Sequence, residues 1–242
     1  TVATLEGAYA LGVIDTSDTD RLVATRHGSP LVIGLGFQEH FIASDVFALL
    51  PVTQRFVFLE DGDIAEITRE AVTIFDADGN RVHRPVKESV LSSDAVGRGE
   101  YRHYMLKEIF EQPQAVADTL EGRLTGTQVL PEAFGSDAPA VLRGLRAVEI
   151  VACGTSYHAG LVARYWIESL TGIPCSVEVA SEYRYRRHVV PENALFVTIS
   201  QSGETADTLA ALRIAKERGY RTTLAICNVP ESSLVRESDL VL

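Results

Sequence analysis

From residue 147 onward the sequence repeats one pattern, a short apolar run followed by a longer amphipathic one, and this repeat restricts the fold more than any other feature. The runs Ala147 to Cys153, Cys175 to Val179, Ala194 to Ser200 and Thr222 to Cys227 are five to seven residues long and rich in Val, Ile, Leu and Thr, as buried strands are. Between them, Gly160 to Leu170 closed by Gly172, a shorter piece around Glu182 to Arg187, and Thr205 to Arg218 ending at Gly219 read as helices. Repeated strand and helix units predict an α/β doubly wound parallel sheet with helices on both faces. Leu240 to Leu242 begins one more strand.

The first part of the chain is built differently. Ala8 to Ile14, Leu22 to Ala24, Leu31 to Ile33, Arg55 to Leu59, Ala65 to Thr68 and Val72 to Phe75 are short and strand-like, with Asp61-Gly62 and Asp78-Gly79 as turn signals. Val57 to Val82 reads as successive hairpins, and Ala43 to Leu50 reads as a helix capped by Ser44 or Asp45 and ended by Pro51. This part is β-rich α+β. Residues 84 to 100, with Ser92-Ser93-Asp94 and Gly97-Arg98-Gly99, read as a linker. Tyr101 to Leu120 reads as a helix broken or bent at Pro113 and placed between two domains. The expected domains are 1–92, a linker with an interdomain helix at 93–138, and 139–242.

Charge and composition narrow the function. The chain of 242 residues carries a formal net charge of −11 with 23% charged residues, which argues against a basic face for nucleic acid. No apolar run is long enough to span a bilayer. Three cysteines without CxxC spacing, and histidines at His27, His40, His83, His103, His158 and His188 without metal-ligand spacing, predict neither a disulfide framework nor a metal site, and favour a cytoplasmic setting. The chain opens at Thr1 and stops at Leu242 within an apolar run, which reads as a segment of a longer protein. A competing reading makes Thr1 an N-terminal nucleophile.

Ligands of an open parallel sheet lie beyond the carboxyl ends of its strands. Two such ends carry Gly and hydroxyl residues, Gly154-Thr155-Ser156 after the first strand and Ser200-Gln201-Ser202-Gly203-Glu204-Thr205 after the third. Loops of this type hold phosphate, because a helix's first turn offers unpaired N–H groups, Gly permits close approach, and hydroxyls add donors without bulk. The plainer reading of Thr155, Ser156, Ser202 and Thr205 is helix capping. His158 and Glu204 read as a solvated His and as a Glu complementing a helix dipole, with acid–base work as the alternative. Cys153 reads as a small residue at a strand end rather than a nucleophile. Arg184, Arg186 and Arg187, with Tyr183 and Tyr185, read as an anion clamp, a subunit contact or a solvated face. Gly34-Leu35-Gly36 lacks the third glycine of a dinucleotide fingerprint, having Glu39 in its place.

Cys153-Gly154-Thr155-Ser156 together with Ser200-Gln201-Ser202-Gly203-Glu204-Thr205-Ala206-Asp207-Thr208 resembles the sugar isomerase (SIS) domain. Gly172-Ile173-Pro174, Ser181 to Tyr185, Ala225 to Pro230 and Ser233 to Glu237 extend the likeness to the glutamine:fructose-6-phosphate amidotransferase family. Gly28 to Gly34 and Phe41 to Asp45 are similar to the later part of its class II glutaminase domain, of the N-terminal-nucleophile type, and Tyr101 to Pro113 to its interdomain segment. The resemblance implies a homodimeric enzyme that makes glucosamine 6-phosphate and glutamate from fructose 6-phosphate and glutamine without a cofactor. It implies that Ser200, Gln201, Ser202 and Thr205 hold the sugar phosphate, with Thr155 and Ser156 on the sugar. The family's N-terminal Cys and its Lys, Glu and His would precede Thr1 or follow Leu242, so no catalytic residue is expected in this segment and the segment alone should be inactive. A sugar-phosphate-sensing SIS module without catalysis is the alternative, although no basic recognition helix for DNA is seen.

Overall fold

The computed structural model describes residues 2–89 and 98–242. Thr1, the Ser92-Ser93-Asp94 stretch with Gly97, and the expected boundary at 92/93 lie outside the described residues. Contacts divide the chain into two compact units, Thr1–His103 and Tyr104–Leu242.

The first unit holds two antiparallel sheets. β1 (Tyr9–Asp15), β2 (Asp18–His27), β6 (Ile64–Ile67), β7 (Val72–Phe75) and β8 (Arg81–Val82) form one in that order. β4 (His40–Ala43), β3 (Val32–Leu35), β5 (Arg55–Phe58) and β9 (Val86–Glu88) form the other. Their facing sides meet in one core of Ala24, Ala65, Ile67 and Ile74 against Ile33 and Val57. The period-2 alternation of the strands sends Val32 and Phe56 to the opposite side of the second sheet, where they pack on Val46, Leu49 and Leu50.

Three expectations are corrected here. The helix Ala43 to Leu50 is only a 3-10 turn at Val46–Ala48, because Ala43 is tied into β4 opposite Val32. Asp45 does cap it, its carboxylate accepting from the Ala48 amide at 3.3 Å. Val57 to Val82 is not a run of hairpins: β6, β7 and β8 pair successively, but β5 belongs to the other sheet. Part of the linker read over 84 to 100 is strand, since Val86 to Glu88 pair with Val57 to Arg55; these residues are exposed, so no apolar alternation announced them.

In the second unit β12 (Ala147–Ala152), β13 (Cys175–Val179), β14 (Ala194–Ser200), β15 (Thr222–Cys227) and β16 (Leu240–Val241) form a wholly parallel sheet in the order β13-β12-β14-β15-β16. Every residue of β12 is buried, as strands covered on both faces must be. Val148, Ile150, Leu195, Val197 and Leu224 face α3 (Gly154–Thr171) and α2 (Ala138–Leu142), through Ala163, Ile167, Val141 and Leu142. Val151, Phe196 and Ala225 point the other way, toward α4 (Ala180–Tyr185), α5 (Ala206–Glu217) and α6 (Ser233–Glu237), through Tyr183, Leu209, Leu212 and Leu234. This is the doubly wound arrangement expected. α1 (Tyr104–Leu120) runs through Pro113 as one helix with no buried residue, and β10 (Leu124–Thr125) and β11 (Gln128–Val129) form a small hairpin. Among the described residues no helix is long and apolar enough to cross a membrane.

α3 begins at Gly154, well before the expected Gly160. Gly160 is a packing residue rather than a helix start: a Cβ there would lie 3.0 Å from Ile150 and 3.1 Å from Val177, so its absence lets the helix lie close on the sheet. The ends α3 at Gly172 and α5 near Gly219 agree with expectation, both glycines having positive φ (68° and 84°).

One carboxylate in this unit makes its stability depend on pH. Glu149 on β12 is buried, and its carboxylate accepts from the Ser176 hydroxyl of β13. Burial holds its carboxyl above the usual carboxylate range, opposed by the Ser176 bond, with Glu178 adding to the rise and Arg186 opposing it. The folded state therefore binds this proton more tightly than the unfolded chain, and its contribution is full in acid and lost as pH rises through the folded-state value. Glu149→Gln removes that loss while keeping an acceptor for Ser176. Urea unfolding should show the variant gaining on the wild type between pH 5 and pH 7; a constant difference between the two pH values would refute this.

Candidate phosphate site at the sheet switch point

The sheet order places the site. From β12 the chain crosses to β13 on one side and then to β14 on the other, so the carboxyl ends of β12 and β14 flank the point where the winding reverses. A crevice for a ligand opens at such a point. The two loops singled out from the sequence leave these two neighbouring strands: Gly154-Thr155-Ser156 follows β12 and Ser200 to Thr205 follows β14.

On the first side, Gly154 has φ of +56° and starts α3 immediately, so Thr155 and Ser156 are first-turn residues and not a separate loop. Thr155 is exposed and Ser156 half-buried. Cys153 precedes them, half-buried, and the Thr208 hydroxyl donates weakly to its sulfur at 4.0 Å, as suits a packed strand end. His158 is exposed and touches the Tyr157 ring edge-on, in keeping with the solvated reading.

On the second side the loop is a tight turn held by its own hydroxyls. The Ser200 hydroxyl, 7% exposed, accepts from the Gly203 amide at 3.0 Å, and the Ser202 hydroxyl accepts from the Glu204 amide at 3.2 Å. A hydroxyl that accepts keeps its own O–H to give away. Gln201 and Ser202 are exposed, and Thr205 is half-buried at the N-cap of α5. Among the described residues no side chain caps α5, so the capping reading of Ser202 and Thr205 is not realised. The first-turn amides of this helix remain available to an anion.

The loop rests on β15 and α6. Gly203 has φ of +67°, and a Cβ there would overlap Ser232 and lie 2.8 Å from the Cys227 sulfur. The Gly203 carbonyl accepts from the Leu234 amide at 3.0 Å, and the Cys227 thiol donates to the Gln201 carbonyl at 3.7 Å. Glu204 reaches α6 and accepts from the Ser233 amide at 2.7 Å, so it complements the dipole of α6 rather than of its own helix. Sequence reasoning missed α6; the one signal was Ser232-Ser233 ahead of Leu234, a capping pattern before a core residue.

The arginine cluster after β13 is largely committed. Arg184 lies 3.3 Å from Asp207, in the first turn of α5, and Arg186 is paired with Glu178. Asp207 is a carboxylate near the loop, and Arg184 offsets its charge. The three cysteines are free, and burial pushes the Cys175 thiol up to about 11. Among the described residues no group of three His, Cys, Asp or Glu side chains is placed to hold a metal ion.

Known proteins resemble this chain in sequence and in fold. A family model described as the SIS domain matches residues 142–242. A glutamine–fructose-6-phosphate aminotransferase (isomerizing) from Shewanella oneidensis is 61% identical over 240 residues, which are 99% of this chain and 39% of that protein. One from Pseudomonas aeruginosa is 62% identical over 241 residues, 100% of this chain and 39% of the relative. Among solved structures, the C-terminal domain of glucosamine-fructose-6-phosphate aminotransferase from Francisella tularensis superposes with a TM-score of 0.58 at 52% identity, covering 60% of this chain and 41% of that one. The chain thus spans 39% of the length of these curated relatives, is similar to them over nearly all of its own length, and matches the SIS domain at residues 142–242.

Proposed function

We propose that this chain acts within a longer enzyme that converts fructose 6-phosphate and glutamine to glucosamine 6-phosphate and glutamate, and that its part is to bind the sugar phosphate. The observation that carries the reading is that two Gly and hydroxyl strand ends lie side by side at the switch point, one of them opening a helix whose N-cap, Thr205, makes no side-chain capping bond. Ser200, Ser202 and Thr205 give O–H donors to the phosphate, the α5 amides add backbone donors, and Gln201 adds its side-chain amide. Thr155 and Ser156 reach the sugar from the neighbouring strand. Hydroxyls and amides suffice for a dianion at a helix N-terminus, so no Lys is required at this point.

Residues 1–92 are assigned to a glutaminase-like domain, 93–138 to the interdomain segment and 139–242 to the first SIS domain. The groups that release ammonia from glutamine and those that move protons on the sugar belong to parts of the enzyme outside this sequence. The enzyme is taken to be a cytoplasmic homodimer that needs neither metal nor organic cofactor.

The binding reading is tested on the full-length protein. Each lost hydroxyl removes a charge-assisted bond worth roughly 1.5–3 kcal/mol, or about 10- to 150-fold in affinity. Ser202→Ala should weaken fructose 6-phosphate by that factor in a calorimetric titration, while unphosphorylated fructose binds poorly to both proteins. Unchanged sugar-phosphate affinity with stability lowered by roughly 0.5–2 kcal/mol would leave Ser202 only its bond from the Glu204 amide, a role in holding the turn, and defeat the reading.

A further inference from the structure

We propose that Glu204, which lies inside the phosphate loop yet binds away from it, is a positioning residue that fixes the loop by clamping it to α6. The proposal rests on the phosphate reading above. Glu204 stands between Ser202 and Thr205, two of the groups assigned to the phosphate, where a carboxylate free to swing onto a dianion would repel it at close range. It is engaged. Its Oε1 accepts from the Ser233 amide at 2.7 Å, and next to it the Gly203 carbonyl accepts from the Leu234 amide at 3.0 Å. The first two amides of α6 are thus both spent on consecutive residues of the loop.

A clamp works only if its far side is fixed, and α6 is. Leu234 is fully buried in the core shared with Leu209 and Leu212 of α5. Glu237, at the other end of α6, takes a two-pronged bond from Arg213 of α5 at 2.8 and 2.7 Å. Contacts therefore close a ring: the loop leads into α5, α5 holds α6 through Arg213 and Leu234, and α6 holds the loop through Ser233 and Leu234. Loosening Glu204 removes one of the loop's two bonds to α6, the one next to Thr205, while the Gly203 carbonyl stays on the Leu234 amide and the loop's two ends, β14 and α5, stay in place. Phosphate binding depends on several donors converging on one anion, so it is the property most sensitive to that freedom.

The same carboxylate could be read instead as a general base, and the two roles separate kinetically. A group that only positions the phosphate donors contributes equally to ground and transition states and shows in KM, whereas a proton-transfer group shows in kcat. In the full-length enzyme Glu204→Ala should raise KM for fructose 6-phosphate by about tenfold or more with kcat within roughly twofold of wild type. Glu204→Gln, which keeps an oxygen for the Ser233 amide, should recover most of that loss, to within about three- to fivefold. A KM unchanged in Glu204→Ala overturns the proposal, as does Glu204→Gln no better than Glu204→Ala. A kcat lowered by about two orders of magnitude or more in Glu204→Gln at unchanged KM also overturns it, and makes Glu204 the base. Ser202→Ala measured alongside tells the two failures apart. If Ser202→Ala raises KM and Glu204→Ala does not, the clamp alone is wrong; if neither does, the phosphate site itself is misplaced.

Discussion

Gly203→Ala is expected to lower the stability of the SIS unit by about 2–5 kcal/mol and to weaken fructose 6-phosphate beyond measurement in the same protein, the sum of a backbone and a packing effect. The backbone effect comes from φ of +67°, a left-handed conformation that costs an L-residue roughly 1–2 kcal/mol. The packing effect comes from the added Cβ, which overlaps Ser232 and presses to 2.8 Å from the Cys227 sulfur. Neither neighbour can retreat cheaply. Ser232 is 2% exposed and precedes α6, whose Leu234 is fully buried, and Cys227 ends a central strand, so overpacking of roughly 1–3 kcal/mol is added. Gly154 supplies the control. It too has a positive φ, +56°, but a Cβ there meets nothing within 4 Å, so Gly154→Ala should cost only the backbone part, about 1–2 kcal/mol. Chemical denaturation of both variants in the full-length protein measures the difference. Equal losses at the two glycines would mean that the loop is not pressed against Ser232 as described.

The sheet was legible because its strands carry their own signal. β14 and β15 begin and end where the apolar runs do, since strands buried on both faces are nearly continuous stretches of apolar residues and Thr, and the edge strand β13, Cys175-Ser176-Val177-Glu178-Val179, keeps its bounds although only Cys175 is buried. The two strand-end loops followed from the same reading, because chain order fixes which residues leave a parallel strand at its carboxyl end. What escaped depends on partners far away in sequence. Gly160 looks like a helix boundary until Ile150 and Val177 are seen beneath it. β9 has three exposed residues and exists only because β5 offers it a free edge. Glu204 has an obvious charge but an unobvious partner, since Ser233 lies 29 residues on, at a helix too short to produce a periodic pattern. Candidate loop ligands are thus visible as residue types, while the contacts that hold the loop in shape are tertiary and unreadable from spacing.

The same distinction governs the first unit, where β5 leaves one sheet and β6 enters the other across the turn Leu59 to Asp63. Asp63 pins that turn. It is 1% exposed, its carboxylate takes a fork from Arg84 at 2.9 and 2.8 Å and the Glu60 amide at 2.8 Å, and its carbonyl accepts from Thr25 on β2. Arg84, only 18% exposed at its side chain, also reaches Glu60 at 3.0 Å. Two charges this far from water repay their desolvation only when both are present and fully bonded, so removing one partner costs about 3–5 kcal/mol, several times the worth of an exposed pair. Asp63→Ala should therefore destabilise the first unit by that amount, because Glu60, 67% exposed at its side chain, is a weak substitute partner for the stranded guanidinium. Asp63→Asn should lie between, since its amide oxygen accepts one prong while its NH2 meets the other donor head-on. Double replacement of Asp63 and Arg84 by Ala and Met should cost less than Asp63→Ala alone, because no charge is then left buried without its partner. Amide hydrogen exchange of β5, β6 and β7 in the full-length protein reports the unit directly. A loss below about 1 kcal/mol in Asp63→Ala would place this pair with ordinary surface bridges and deny it the role of joining the two sheets.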